Sequence, residues 1–131
     1  MLTGFETITH ELTEQEMKFV PAIVAHLSLR KGKVNAITNQ ALSEYLKVRS
    51  IGSVAGARMR KLINYIRHKH LVPALIATSA GYYIAETPAE IEAYITSLDG
   101  RANEIIRIAD VMRIDSIRMR EFFDKHRDKI A

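Results

Sequence analysis

The chain has 131 residues, of which 47% are apolar and 26% charged, with a formal charge of +4 and no cysteine. That length makes one domain, or one small domain plus an extension, and the balance suits a folded chain, not a low-complexity one. Disulfides and thiolate chemistry are excluded, and there is neither a basic leader nor an apolar run of about 18 residues, so a cytoplasmic protein with no membrane partner is expected.

The charge is unevenly spread. Residues 1–30 hold four acids against two bases, and residues 71–131 hold ten against eight. Residues 31–70 carry Lys31, Lys33, Lys47, Arg49, Arg58, Arg60, Lys61, Arg67 and Lys69 against the single acid Glu44. Such clustering steers a polyanion to one region of a molecule.

In chain order, residues 1–11 offer little and are expected to be flexible. Leu12, Thr13 and Glu16 have the spacing of a hydrophobic staple and capping box, which start a first helix. Met17, Val20, Ile23, Val24 and Leu27 form its inner stripe, and Pro21 in its middle kinks or splits it. Gly32, among the cations Arg30, Lys31 and Lys33, ends it with a left-handed turn. Val34 to Ile37 adds a minor strand. Thr38 then caps a second helix, NQALSEYLKV, with Ala41, Leu42, Tyr45 and Leu46 facing inward.

After a short connection from Arg49 to Gly52, Ser53 caps a third helix over residues 53–70. Met59, Leu62, Ile63 and Ile66 recur at the 3-4 spacing of a buried stripe. Ser53, Ala57, Arg60, Lys61, Asn64 and His68 fall on the opposite side, with Arg58 and Arg67 near its edges. Two short helices joined by about four or five residues, the second basic, make a helix-turn-helix unit.

Pro73 ends the helical period. Ala74–Thr78 and Tyr82–Ala85 around Ser79, Ala80 and Gly81 read as a β-hairpin. Leu75 and Ala77 share one face, as do Tyr83 and Ala85. The hairpin is nearly uncharged, so it closes a core and does not enter a minor groove, with Tyr82 or Tyr83 partly structural.

Thr87, Pro88 and Glu90 start a last helix as cap, first-turn proline and N3 acid. From there Ile91, Ile95, Leu98, Ala102, Ile105, Ala109 and Met112 alternate in steps of four and three, a coiled-coil seam. The alternation reaches Ser116, Met119 and Phe123, so the helix either continues or restarts at Asp115 or Ser116. Self-association through residues 88–123 is favoured over packing on the first helix, and the direction of pairing stays open.

Chemistry finds no home. His10, His26, His68, His70 and His126 are scattered, and neither an HExxH zinc pattern nor a GxxxxGK[ST] phosphate loop is present. Glu90, Glu92, Asp99, Glu104 and Asp110 sit among cations as a solvated surface does. No cofactor, metal or enzymatic activity is expected. Binding is. Arg60, Lys61 and Asn64 suit base edges, since arginine or lysine matches guanine and asparagine matches adenine. Thr38, Asn39, Gln40, Lys47, Arg49, Ser50, Ser53 and Arg67 are placed for phosphates. Duplex DNA suits an inserted helix better than A-form RNA does.

ARMRKLINYIR (57–67), LVP (71–73), AGYYIA (80–85) and TPAEI (87–91) together resemble small winged-helix proteins of bacteria, phages and prophages. The likeness covers residues 12–112. It implies a charged third helix leading through a short wing, ending in a Gly-Tyr-Tyr strand, into a long helix. It also implies Arg58, Arg60, Lys61 and Asn64 as DNA-facing positions, in a regulator or a replication-associated factor in the cytoplasm of the host cell. The expected fold is thus mainly α (α+β): a winged helix-turn-helix domain over 12–87 with a helical extension over 88–131. The leading expectation is a homodimer that binds double-stranded DNA in transcription or replication. The alternative is an interaction module that holds another protein on its C-terminal helices.

Overall fold

Short polar side chains decide where the helices begin. In the computed structural model, which describes residues 12–54 and 56–130, with side chains as far as Arg127, Thr13 and Glu16 form a reciprocal box. The Glu16 N–H donates to Thr13 Oγ1 at 3.1 Å and the Thr13 N–H donates to Glu16 Oε1 at 2.9 Å. This opens α1 (Glu14–Met17), which lasts one turn because Pro21 has no N–H to return to Met17. Lys18 and Phe19 turn the chain, and α2 (Val20–Leu27) begins with the proline in its first turn. The helix is therefore split. The break also takes Met17 out of the expected inner stripe: it is exposed, while Val20, Ile23 and Leu27 are buried. The segment expected to be flexible, residues 1–11, lies outside the described residues.

Gly32, at φ 82°, leads into a 3-10 turn (Lys33–Asn35). The expected minor strand shrinks to one residue: Ile37 donates to the Tyr82 carbonyl at 3.0 Å and accepts from the Tyr82 N–H at 2.8 Å. Thr38 then caps α3 (Asn39–Val48), accepting from the Ala41 N–H at 3.1 Å. Leu42 and Leu46 are buried and Tyr45 half-buried. Ala41, expected to face inward, is exposed, because it stands about 100° from Leu42 at the margin of a narrow stripe.

The C-terminus of α3 closes through Ser50 at φ 59°, with Ile51 N–H donating to Leu46 O at 2.9 Å and Ser50 N–H to Lys47 O at 3.0 Å. The same closure, at His70, ends α4 (Gly56–His68) two residues earlier than expected. The described residues 49–54 all lie between α3 and α4, so the connection is longer than expected. Ser53 lies within that connection, not at the cap position. Gly52 seats the loop under Phe19, whose ring a Cβ would meet at 2.6 Å.

The strands β1 (Leu75–Thr78) and β2 (Gly81–Ile84) pair antiparallel, Thr78 opposite Gly81 and Leu75 opposite Ile84, around the turn Ser79–Ala80. Gly81 at φ 119° lies against the chain that precedes α3, where a Cβ would stand 2.4 Å from the Ile37 carbonyl oxygen. Ile23, Leu27, Leu42, Leu46, Met59, Leu62, Ile63 and Ile66 are fully buried, so α2, α3 and α4 share one core. Each such side chain contributes about 1.5–3 kcal/mol of burial. Val54, in the connection, joins them.

The chain divides into two compact units, Met1–Ile91 and Glu92–Ala131. The second consists of the rest of α5 (Pro88–Ile130), one helix of 43 residues that Asp115 and Ser116 do not interrupt. Thr87 Oγ1 accepts from the Glu90 N–H at 3.3 Å at its start. The protein is thus mainly helical, with a small hairpin and a long C-terminal helix. Among the described residues no helix is long and apolar enough to cross a membrane.

Candidate nucleic-acid interface

α4 sorts its residues by charge as well as by burial. Met59, Leu62, Ile63 and Ile66 point into the core, while Ala57, Arg58, Arg60 and His68 are exposed and Lys61, Asn64 and Arg67 half-buried.

Lys61 is partly covered because it meets an acid from α1. Its Nζ donates to Glu16 Oε1 at 2.9 Å, and Arg58 Nε stands 3.7 Å from Oε2 of the same carboxylate. Glu16 is only 5% exposed. The Thr13 backbone N–H, and then the Lys61 ammonium, hold its carboxyl below the ordinary value of 4.5 despite the opposing effect of burial. Two cations expected to face DNA therefore share one buried anion, which lowers their joint charge to +1. Arg60 lies on the other edge of the outer face. Among the described residues no acid pairs with it, nor with Lys31, Lys33, Lys47, Arg49 or Lys69.

The expected phosphate contacts divide similarly. Gln40 and Lys47 are exposed, and Thr38 is engaged as the α3 cap. Tyr82 Oη donates to Asn39 Oδ1 at 2.6 Å, which ties the hairpin to the start of α3 and gives Asn39 a structural role. Ser53 lines a cleft of about 370 Å³ with Thr13, Glu16, Phe19 and Arg58, on the α1 side of the unit. The exposed Arg49 guanidinium lies 5.1 Å from the centre of the Tyr45 ring. His26 packs on that tyrosine at 3.9 Å between ring centroids, and Arg30 Nη2 lies 2.8 Å from His26 Nε2. Burial, then Arg30, then Arg49 hold His26 below its ordinary 6.5, so it stays neutral and accepts from Arg30.

Along α5, Ile91, Ile95, Ala102, Ile105 and Met112 are exposed, and Leu98 and Ala109 half-buried. Met112, Met119, Phe122 and Phe123 form an exposed apolar patch on the helix surface. Among the described residues no three histidines or acids gather as a metal ion needs.

The Glu16–Lys61 pair, the Tyr82–Asn39 bond and the His26 cluster were not anticipated. Glu16 already had a local role as the third residue of a capping box, which concealed its second one. Comparison with protein-family models, curated proteins and solved structures finds no match to this chain.

Proposed function

We propose that this chain is a winged helix-turn-helix protein that binds double-stranded DNA through α4, self-associates through α5, and acts by binding alone. Element order supports the winged-helix reading. Helix, one-residue bridge, two helices and a hairpin follow in turn, and the second hairpin strand returns to the bridge at Ile37.

The observation that carries the DNA reading is the exposed Arg60 on a helix anchored by its opposite stripe, with no acidic partner among the described residues. Asn64 follows one turn later on the same side, and exposed Ala57 leaves room for a close approach. Arginine reads guanine and asparagine reads adenine from the major groove. Lys47, Arg49 and Gln40 supply phosphate contacts, with Arg67 and His68 continuing the surface. Lys61 and Arg58 contribute less than their count suggests, because Glu16 offsets part of their charge. The role is transcriptional regulation or assembly at a replication origin, in line with the bacterial and phage proteins that the sequence resembles.

Selection from a random duplex pool tests this. The expected result is enrichment of one motif in two symmetric half-sites, lost with Arg60→Ala. A pool that shows neither enrichment nor retention of duplex overturns the reading. The bare apolar surface of α5 favours a second reading, an interaction module for another protein. Partner capture that survives Arg60→Glu and Lys61→Glu, without DNA binding, selects it.

A further inference from the structure

Because α5 is unbroken, its residues from Ile91 to Phe123 take a single heptad register. The a positions run Ile95, Ala102, Ala109, Ser116, Phe123, small in the middle, whereas the d positions from Ile91 to Met119 are large throughout. The e positions change sign along the helix: Glu92 and Asp99, then apolar Ile106, then Arg113 and Arg120. The g positions do the reverse, with Arg101 before Ile108 and Asp115 after it. All six of these charged residues are exposed.

We propose that α5 pairs antiparallel with α5 of a second copy of this chain, about a twofold axis at residue 107. In that arrangement a faces d, e faces e and g faces g. Glu92 then meets Arg120 of the partner subunit, Asp99 meets Arg113 of the partner subunit, and Arg101 meets Asp115 of the partner subunit. Symmetry repeats each contact, and no like charges meet. Ile106 and Ile108 meet their own copies beside the axis. In the core, Ala102 faces Met112 of the partner subunit, Ala109 faces Ile105 of the partner subunit, and Ser116 faces Leu98 of the partner subunit. Every central layer therefore holds one small and one large side chain, which keeps the volume even.

A parallel pair in register loses both kinds of match. Ala102, Ala109 and Ser116 would each meet their own copy, leaving successive layers underfilled. Its g-to-e contacts would set Arg101 against isoleucine and Arg113 against isoleucine, with Asp115 to Arg120 as the remaining opposite-sign contact. Within the single helix Arg113 is paired with Asp110, but both side chains are more than 60% exposed, so releasing that pair costs little. Val111, Ile114 and Ile117 lie outside the seam and take no part in it.

The inference takes self-association from the reading above and adds its direction; it is independent of DNA binding. At about 1.5 Å per residue, the two Pro88 residues would stand about 57 Å apart. The chain has no cysteine, so Thr96→Cys and Glu121→Cys variants of the full chain each accept one nitroxide label per copy. Dipolar spectroscopy should give distances of about 33 Å for residue 96 and about 42 Å for residue 121, on the same helical rise. Distances under about 20 Å at both sites are those of a parallel pair at helix–helix spacing, and overturn the direction while leaving self-association standing. A monomer in sedimentation at label concentration overturns both. Asp99→Arg should raise the dimer dissociation constant at least about tenfold, and Asp99→Arg with Arg113→Asp should restore it. Failure of that rescue in a folded double variant counts against the proposal, since residues 99 and 113 never meet in a parallel pair.

Discussion

The two units use their apolar residues in opposite ways. In Met1–Ile91, α2, α3 and α4 withdraw Ile23, Leu27, Leu42, Leu46, Met59, Leu62, Ile63 and Ile66 almost completely from solvent. In Glu92–Ala131, Ile105, Ile106, Ile108, Met112, Met119, Phe122 and Phe123 are each more than half exposed. A single helix has no second layer of its own on which to close such a surface, and this bare apolar area is what motivates the proposed self-association. The first unit closes its apolar residues into a core, whereas the second leaves them on its surface, where the proposed pairing of α5 would cover them.

Truncating one side chain in each unit puts that contrast to its strongest test. Leu62→Ala should cost about 2–5 kcal/mol in urea unfolding, because a fully buried leucine leaves a cavity. Ile114→Ala, off the seam and about half exposed, should stay within about 0.5 kcal/mol. Equal losses would mean that the units do not differ as described. Next in size, Gly81→Ala should cost about 1–3 kcal/mol, since it adds a Cβ beside the Ile37 carbonyl at a positive φ. Tryptophan-free near-ultraviolet spectra, dominated by the tyrosines, report whether Tyr82 leaves Asn39 as the hairpin shifts.

Glu16→Gln should lower stability by about 1 kcal/mol, a modest figure because the Lys61 side chain is 35% exposed to screening solvent. Its pH signature is specific. The Glu16 carboxyl is held below 4.5 in the folded protein, so its contribution is present above 4.5 and is lost as pH falls below that value. The variant should lack this loss, and it should bind duplex DNA more tightly because Lys61 and Arg58 are released. A smaller effect belongs to His26, also held below its ordinary value. Its contribution is complete above 6.5 and declines as pH falls below it, when the unfolded chain takes up the proton first. His26→Gln should flatten the stability curve in that window alone.

Local features were legible in the sequence. Thr38 marks the start of α3, Thr87 and Pro88 that of α5, and Gly81 the hairpin, because each signal acts within a few residues. Met17 and Ala41 were misplaced for want of the rotation set by the Pro21 break and the width of the α3 stripe. The connection before α4 was drawn too short because Ser53 looked like a cap. Contacts spanning 45 residues, Glu16 to Lys61 and Ile37 to Tyr82, leave no local trace. The first of them offsets part of the charge on the basic face. The a and d pattern of α5 was also readable, but the sign change at its e and g positions gained meaning once the helix proved continuous.

Titrating duplex DNA with the wild type, Arg60→Ala and the α5 control Arg118→Ala across a series of salt concentrations decides whether α4 faces DNA. The expected result is a linear fall of log affinity with log salt, an Arg60→Ala loss of about tenfold to a hundredfold, and no change for Arg118→Ala. Affinity that ignores both salt and Arg60 would contradict α4 as the DNA-facing helix.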